Sequence, residues 1–345
     1  MKDFAFEYHK ILCDCPPQFI FEYSTLPLLQ RLKGVGLLCG TDWTSLYKNK
    51  FYYSRYEHSL GCALIVWNFT HDKKQTIAAL LHDVSTQSFS HVNDFRFGDA
   101  LTQTVSEKDN KKIIAENEEL NKLLCRDKIK VEEVFDYHIY PVADNKLPGL
   151  SADRLEYMYP SGAALSGEWK LLDIKKNYSK ICLLKNEKGI LELGFDDIKA
   201  AELYTKKFCA ISLILQHNEN KLALQMMADI IKRAMELNFL SEEDLFKFSE
   251  EELIKLFTEV SEKNIDSWFT KIFFAFRNMK KIKRSKKALD GYYNVCLETK
   301  KRYVNPLVKF GDGSVFRIAD VSPCAKNAID SFLKFEDTKY GCVKI

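Results

Sequence analysis

Ser54-Arg55-Tyr56-Glu57-His58-Ser59-Leu60-Gly61 runs directly into a long apolar segment that ends near Phe69. The segment reads as a helix over Tyr56 to Phe69, apolar nearly all round and therefore buried. A histidine and an arginine at its head are out of place in a helix that only packs. Buried polar or charged groups are costly unless they are partnered. Arg55 precedes His58 by three positions, one turn away if the helix extends that far.

The same theme recurs in Ala78-Ala79-Leu80-Leu81-His82-Asp83-Val84. Here a helix is expected over Lys73 to Val84, with Ile77, Leu80, Leu81 and Val84 on one face. Asp83 directly follows His82. A metal ion would satisfy a buried carboxylate and a buried imidazole together. Leu150-Ser151-Ala152-Asp153-Arg154-Leu155-Glu156-Tyr157 brings a further carboxylate to a helix start. Each piece alone has an ordinary reading: a satisfied structural histidine, a chance His-Asp pair, or an aspartate favouring a helix N-terminus. The order and combination of the three segments carry the weight.

Around these segments the chain is dominated by helical patterns. Ser24 to Pro27 marks a helix start, followed by Leu28, Leu29, Leu32, Val35 and Leu38 at helical spacing. A charged helix is expected from Ser106 to Leu124, with Ser106 and Asp109 at capping-box spacing. After about Ser166 the pattern changes. Ile181 to Leu184 and Ile190 to Leu193 flank a glycine-containing loop, the signature of a β-hairpin. Helices resume over Asp196 to Gln216 and Asn220 to Leu237. Ser241 with Asp244 and Ser249 with Glu252 form two further capping boxes. Arg302 to Phe310 and Ser314 to Ile318 read as extended, and Ser322-Pro323 as the start of a last helix. The expected fold is mainly α: a helical bundle over 1–165, then a helical region over 166–345 containing a small β-hairpin or sheet. No glycine- or serine-rich linker separates the two, so one packed unit is expected.

The 345 residues have a net charge of +3, from 51 basic and 48 acidic side chains, which excludes a generic polyanion-coating protein. The densest basic run, Arg277 to Lys287, reads as a solvated helix or loop rather than a nucleic-acid patch, so nucleic acid is not an expected partner. Trp268, Phe269, Phe273, Phe274 and Phe276 read as helix core, with a contact in a homo-oligomer left open. No stretch has the roughly 18 uncharged apolar residues of a membrane span, so no membrane association is expected. The first residues lack the basic start and apolar run of a secretory signal. The ten cysteines, with only Cys13 and Cys15 closely spaced, are expected to be reduced thiols in a cytoplasmic setting.

Gln30-Arg31-Leu32, the Ser54–Gly61 segment, Leu81-His82-Asp83, Phe89-Ser90-His91 and Ala152–Tyr157 together resemble the HD-domain superfamily of metal-dependent phosphohydrolases. The resemblance leans toward the branch containing deoxynucleoside triphosphate triphosphohydrolases. It covers about the first 165 residues well and the remainder loosely. It implies an HD-domain helical bundle in which His58, His82, Asp83 and Asp153 ligate one divalent ion. Two imidazoles and two carboxylates suit Mn, Fe, Ni, Co or Zn and tolerate Mg less well. Asp83 would also orient or deprotonate the nucleophile, and His91 would support a ligand or a water. Arg55 could reach a phosphate held at the metal. The resemblance further points to Arg31 and Lys33 as phosphate-facing and to Tyr157 near a sugar. The implied substrate is a nucleotide or a small phosphoester.

The chain departs from that branch at several positions. Where the branch reads H-D-x-G-H-G-P-F-S-H, this chain has His82-Asp83-Val84-Ser85-Thr86-Gln87-Ser88-Phe89-Ser90-His91. Thr86 replaces a histidine that can donate or relay a proton. Another family histidine aligns with Ser106, the sugar-reading glutamine with Leu37, and an aspartate with Ser161. A threonine hydroxyl cannot donate a proton near neutral pH as imidazole does. The alternative reading is therefore a catalytically degenerate HD module that binds a nucleotide or partner around a structural metal.

Overall fold

The computed structural model describes residues 4–103 and 109–345. The protein is mainly helical with two small sheets in its C-terminal half. Its central helix is Arg55–Thr70. Ser54 accepts from Glu57 N, and the Glu57 carboxylate accepts from Ser54 N at 3.1 Å, a capping box that starts the helix one residue earlier than expected. From Arg55 to Val66 only Tyr56 and Glu57 are not buried. A helix enclosed on all sides needs no polar stripe, which is why its sequence shows none.

Lys73–Leu81 packs against this helix, capped by Asp72, which accepts from Lys74 N and Gln75 N. It stops at Leu81 instead of running to Val84. Val84 N bonds back to Leu81 O and Thr86 N to Asp83 O, so His82 and Asp83 sit in a tight turn past the helix end. Ala152–Leu165, capped by Ser151, packs on the other side of the central helix. The expected charged helix is two, Asn110–Glu116 and Glu118–Arg126. Asn117 divides them and caps the second through Leu120 N at 2.8 Å. The start expected at Ser106 lies outside the described residues.

In the second half, Ile198–Gln216 and Asn218–Glu236 form a helical pair joined at His217. Ser241 and Ser249 cap Glu242–Lys247 and Glu250–Glu262 through the expected boxes, and Ser322 caps Pro323–Lys334. The hairpin forms between β1 (Ile181–Lys185) and β2 (Leu191–Phe195), with Cys182 opposite Gly194. The other strands are β3 (Lys283–Ser285), β4 (Tyr292–Val295), β5 (Leu307–Lys309), β6 (Val315–Arg317) and β7 (Tyr340–Lys344). One sheet runs β1-β2-β5-β6, with β5 parallel to β2; the other runs β3-β7-β4 and is antiparallel.

Two large apolar cores and a small cluster of Cys209, Ile329 and Phe332 hold these layers among the described residues. The larger begins at Tyr8 and Leu12 and passes through the central helix to Tyr159, Tyr204 and Ile211, then on to Val308, Ile318 and Ala325. The other gathers Phe89, Val92 and Phe95 with Leu222, Met226, Ile230, Phe257, Phe269 and Phe273. Both therefore draw on residues before and after position 165. Phe269, Phe273 and Phe276 are core as expected, whereas Trp268 and Phe274 are exposed. The basic run ends one helix and enters β3. Arg277 donates to Trp43 O at 2.8 Å, and Arg284 pairs with Asp337 and Glu219. Part of its charge is thus consumed by the fold itself.

Glu250, the first residue of its helix, ties the halves together. Its fully buried carboxylate accepts from Gly36 N at 2.8 Å, Phe89 N at 3.0 Å and Trp43 Nε1 at 2.7 Å. Burial pushes its pKa up to about 7. The turn it grips is strained: Phe89 and Ser90 have φ of 66° and 53°, both left-handed.

Candidate metal centre

The three segments converge in one cavity of about 230 Å³. His58 projects from the first turns of the central helix, His82 and Asp83 from the tight turn, and Asp153 from the start of Ala152–Leu165. The His58 and His82 Nε2 atoms are 3.2 Å apart. Asp153 Oδ1 lies 3.2 and 3.9 Å from them, and Asp83 Oδ2 lies 3.9 and 3.5 Å from them. Two nitrogens and two carboxylate oxygens therefore point at a common volume. His58, His82 and Asp83 are buried, whereas a fifth of the Asp153 side chain is exposed, so the cluster opens to the cavity on that side.

The donor chemistry fits a divalent ion. His82 Nδ1 is 2.7 Å from Ala79 O, and His58 Nδ1 bonds the Glu156 carboxylate. Each Nδ1 is thus held as a donor, which leaves the two Nε2 lone pairs free to ligate. Glu156 is fully buried and also accepts from Tyr53 Oη at 2.6 Å. Gly61, one turn after His58, makes room for it: a Cβ there would lie 2.5 Å from Glu156 Oε1. Burial would raise the Asp83 carboxyl, but Arg55, with His82 and His58, holds it well below the usual carboxylate range. Asp153 is held low in the same way, chiefly by His58. Burial lowers His82; at His58, without an ion, the neighbouring Cys62, Glu156 and Asp153 outweigh burial and raise it, so an ion would take the place of a proton on Nε2.

Cys62 was not foreseen. Its Sγ lies 3.7 and 3.8 Å from the two nitrogens of His58 and shares the donor volume with His82 and Asp153. Burial pushes its thiol up, while Arg55 holds the Asp83 carboxyl low. Cys62 and Asp83 are thus alternative fourth donors: the Cys62 Sγ lies within 4.8 Å of the ligand atoms of His58, His82 and Asp153, and Asp83 Oδ2 lies 3.5 Å from His82 Nε2.

Arg55 donates to Asp83 Oδ2 at 2.9 Å and to Ser90 Oγ at 3.1 Å. Ser90 Oγ donates in turn to Gly36 O at 2.8 Å, so the strained turn serves to position Arg55. Thr86 Oγ1 donates to the other Asp83 oxygen at 3.0 Å. His91 lines the cavity with Nδ1 2.8 Å from Asp94 Oδ2, a fully buried carboxylate. Tyr157, Leu37 and Ser161 also line the cavity. Arg31 and Lys33 do not. Arg31 stacks on Phe246, bonds Val84 O, and its pKa is lowered by burial to about 9. Lys33 lies over Tyr56 and faces a separate cavity beside Phe51 and Tyr52.

Glu156, Asp94 and Glu250 had no individual signal in the sequence. Glu156 lies three residues after Asp153 and Asp94 three after His91, spacings that put each on the same helical face.

No protein-family model matches the chain. The uncharacterized protein YdhJ of Bacillus subtilis is 28% identical over 231 residues, 65% of this chain and 66% of YdhJ. The metal-dependent phosphohydrolase cns2 of Cordyceps militaris is 26% identical over 153 residues, 44% of this chain and 43% of cns2. The chain thus spans just under two thirds of the one relative and less than half of the other. Among solved structures, a phosphohydrolase from Bacteroides thetaiotaomicron superposes with a TM-score of 0.61 at 15% identity, over 95% of this chain and 96% of its own. A hypothetical protein from Aquifex aeolicus gives the same score and identity, over 95% and 93%. Among the described residues no helix is long and apolar enough to cross a membrane. At this identity the two solved structures establish a shared fold over nearly the whole chain.

Proposed function

We propose that this chain is a metal-dependent phosphohydrolase of the HD-domain superfamily, acting on a nucleotide or a related small phosphoester. The observation that carries this reading is the convergence of His58, His82, Asp83 and Asp153 on one volume at the floor of a cavity. The similarity to cns2, a metal-dependent phosphohydrolase, and the fold shared with the Bacteroides phosphohydrolase support it. The catalytic core is assigned to residues 1–165, and residues 166–345 complete the cavity wall.

His58, His82, Asp83 and Asp153 would hold one divalent ion. Such an ion acts as a Lewis acid toward a phosphoryl oxygen and acidifies a water. Arg55 keeps Asp83 anionic and presents a guanidinium edge to the phosphate. With both oxygens already bonded to Arg55 and Thr86, Asp83 is suited to hold and orient rather than to take up a proton. His91, braced by Asp94, is the group left to carry a proton to the leaving oxygen, in the place of the histidine that Thr86 replaces. Tyr157 adds a hydroxyl beside the substrate.

The test is metal analysis of the purified protein together with a screen of nucleotides and p-nitrophenyl phosphate under Mn, Co, Ni and Mg. Replacing His82 and Asp83 together by alanine is expected to remove both bound metal and hydrolysis. Persistence of both would sink the proposal. Metal without any turnover in the wild type would favour the degenerate module instead.

A further inference from the structure

The helix that carries His82 to the metal cluster ends inside the protein. Every residue from Thr76 to Leu81 is buried, and so are His82 to Thr86 in the turn beyond it. A helix leaves its last carbonyls without donors of its own, and a left-handed glycine just past the end is a common remedy. That remedy is absent here: the next glycine is Gly98, and His82 itself keeps a right-handed φ of −60°. Buried backbone groups still need partners, so other donors must meet them. His82 Nδ1 lies 2.7 Å from Ala79 O, and Val84 N bonds back to Leu81 O. The His82 carbonyl is met from another helix, by Asn110 Nδ2 at 2.5 Å.

The other end of the same amide accepts from Ser85 N at 3.0 Å. One side chain thus spans the turn from His82 to Ser85, with Asp83 between its two contacts. An amide donates and accepts at once, whereas an ionised carboxylate of the same shape only accepts. Asn110 is itself buried at the first position of Asn110–Glu116, 28 and 25 residues from the groups it holds. Ile114 on that helix, with Leu120 and Leu124 on the next, belongs to the larger apolar core. The amide is therefore anchored by apolar packing and not by any residue of the metal cluster.

We infer that Asn110 is a positioning residue for the metal centre. Its amide caps the His82 helix from a neighbouring helix and sets the direction in which His82 Nε2 and Asp83 Oδ2 face the ion. This rests on the reading of His58, His82, Asp83 and Asp153 as the residues that hold that ion. The centre then extends to a helix pair that supplies no donor of its own.

The test uses the purified full-length protein as wild type, N110A, N110D and N117A. N117A is the control: it removes an ordinary cap of the same helix pair, Asn117 to Leu120 N. Mn affinity is read by competition with a chelating indicator, and the visible absorption of bound Co reports ligand geometry. N110A is expected to weaken Mn binding about ten- to a hundredfold and to change the Co spectrum. N110D keeps the acceptor for Ser85 N but loses the donor to His82 O, so it is expected to be weakened as well. N117A is expected to lower the melting temperature while leaving affinity and spectrum as in the wild type. Wild-type affinity and spectrum in N110A, or an equal loss of affinity in N117A, overturns the inference. Should N110A fail to fold, N110D decides by the same criteria. In both overturning cases the wild type still binds Mn and the reading of the four residues stands. A wild type that binds no divalent ion overturns that reading, and the inference falls with it.

Discussion

Glu156 offers the sharpest test of how the centre is built. Its carboxylate holds His58 Nδ1 on one oxygen and receives Tyr53 Oη at 2.6 Å on the other, with no solvent exposure. Glu156→Ala removes both acceptors. Tyr53 Oη retains His9 Nε2 at 3.3 Å, but His58 Nδ1 loses its carboxylate in a buried place. An orphaned buried donor costs about 1–3 kcal/mol. The larger effect is on the ion: freeing the imidazole to turn or change tautomer is worth about ten- to a hundredfold in metal affinity. Glu156→Gln retains one acceptor and loses the charge, so it is expected to fall between. The assay is competition of Mn against a chelating indicator at neutral pH, with circular dichroism as a check on folding. A folded Glu156→Ala protein that binds Mn as tightly as the wild type would refute the reasoning. If Gln proved as damaging as Ala, charge and not orientation would be the operative property.

Gly61→Ala drives a Cβ to 2.5 Å from Glu156 Oε1 and 2.7 Å from Cγ. The change favours a helix by about 1 kcal/mol, yet a net destabilisation of ~1–3 kcal/mol is expected from overpacking, read from urea unfolding. Glu250 makes the fold pH-sensitive. Its folded pKa of about 7 lies above the ordinary carboxyl value of 4.5, so the native state binds the proton more tightly. Its contribution is complete below about pH 4.5 and fades as pH rises through 7, a change of roughly 3 kcal/mol at about 1.4 kcal/mol per unit. Glu250→Gln is expected to flatten that portion of the stability–pH curve, and an unchanged slope would count against the assignment. Thr86→Val deletes the donor to Asp83 Oδ1 at 3.0 Å. A loss of about 1.5–3 kcal/mol in stability of the metal-free protein is expected, measured by thermal unfolding.

The four residues proposed as donors were legible in the sequence because two of the chain's seven histidines adjoin apolar helical patterns, with Asp83 directly after one of them and Asp153 at a helix start. The capping residues Ser241, Ser249 and Ser322 were legible for a similar reason, since they signal locally. What escaped is non-local. The stop of the second helix at Leu81 is set by the turn bonds of Val84 and Thr86, which an uninterrupted apolar face concealed. The pairing of β2 with β5 joins Gly194 to Leu307, and no periodicity reports a partner so distant. Glu250 and Arg302 look like ordinary surface charges until the fold carries one to the Gly36 and Phe89 amides and the other to the cavity. Thr86 was read as a lost histidine; the sequence could not reveal that its hydroxyl braces Asp83.

The cavity also implies an order of assembly. The four residues proposed as donors are present once the chain has been synthesised to Asp153, but the wall segment containing Thr299 and Arg302 follows about 150 positions later. Contacts separated this far in sequence close late, because the loop entropy must be met before they contribute. The residues proposed as donors are therefore synthesised well before the segment that closes the far wall of their cavity, and in the finished protein the cluster is most exposed at Asp153, a fifth of whose side chain is open.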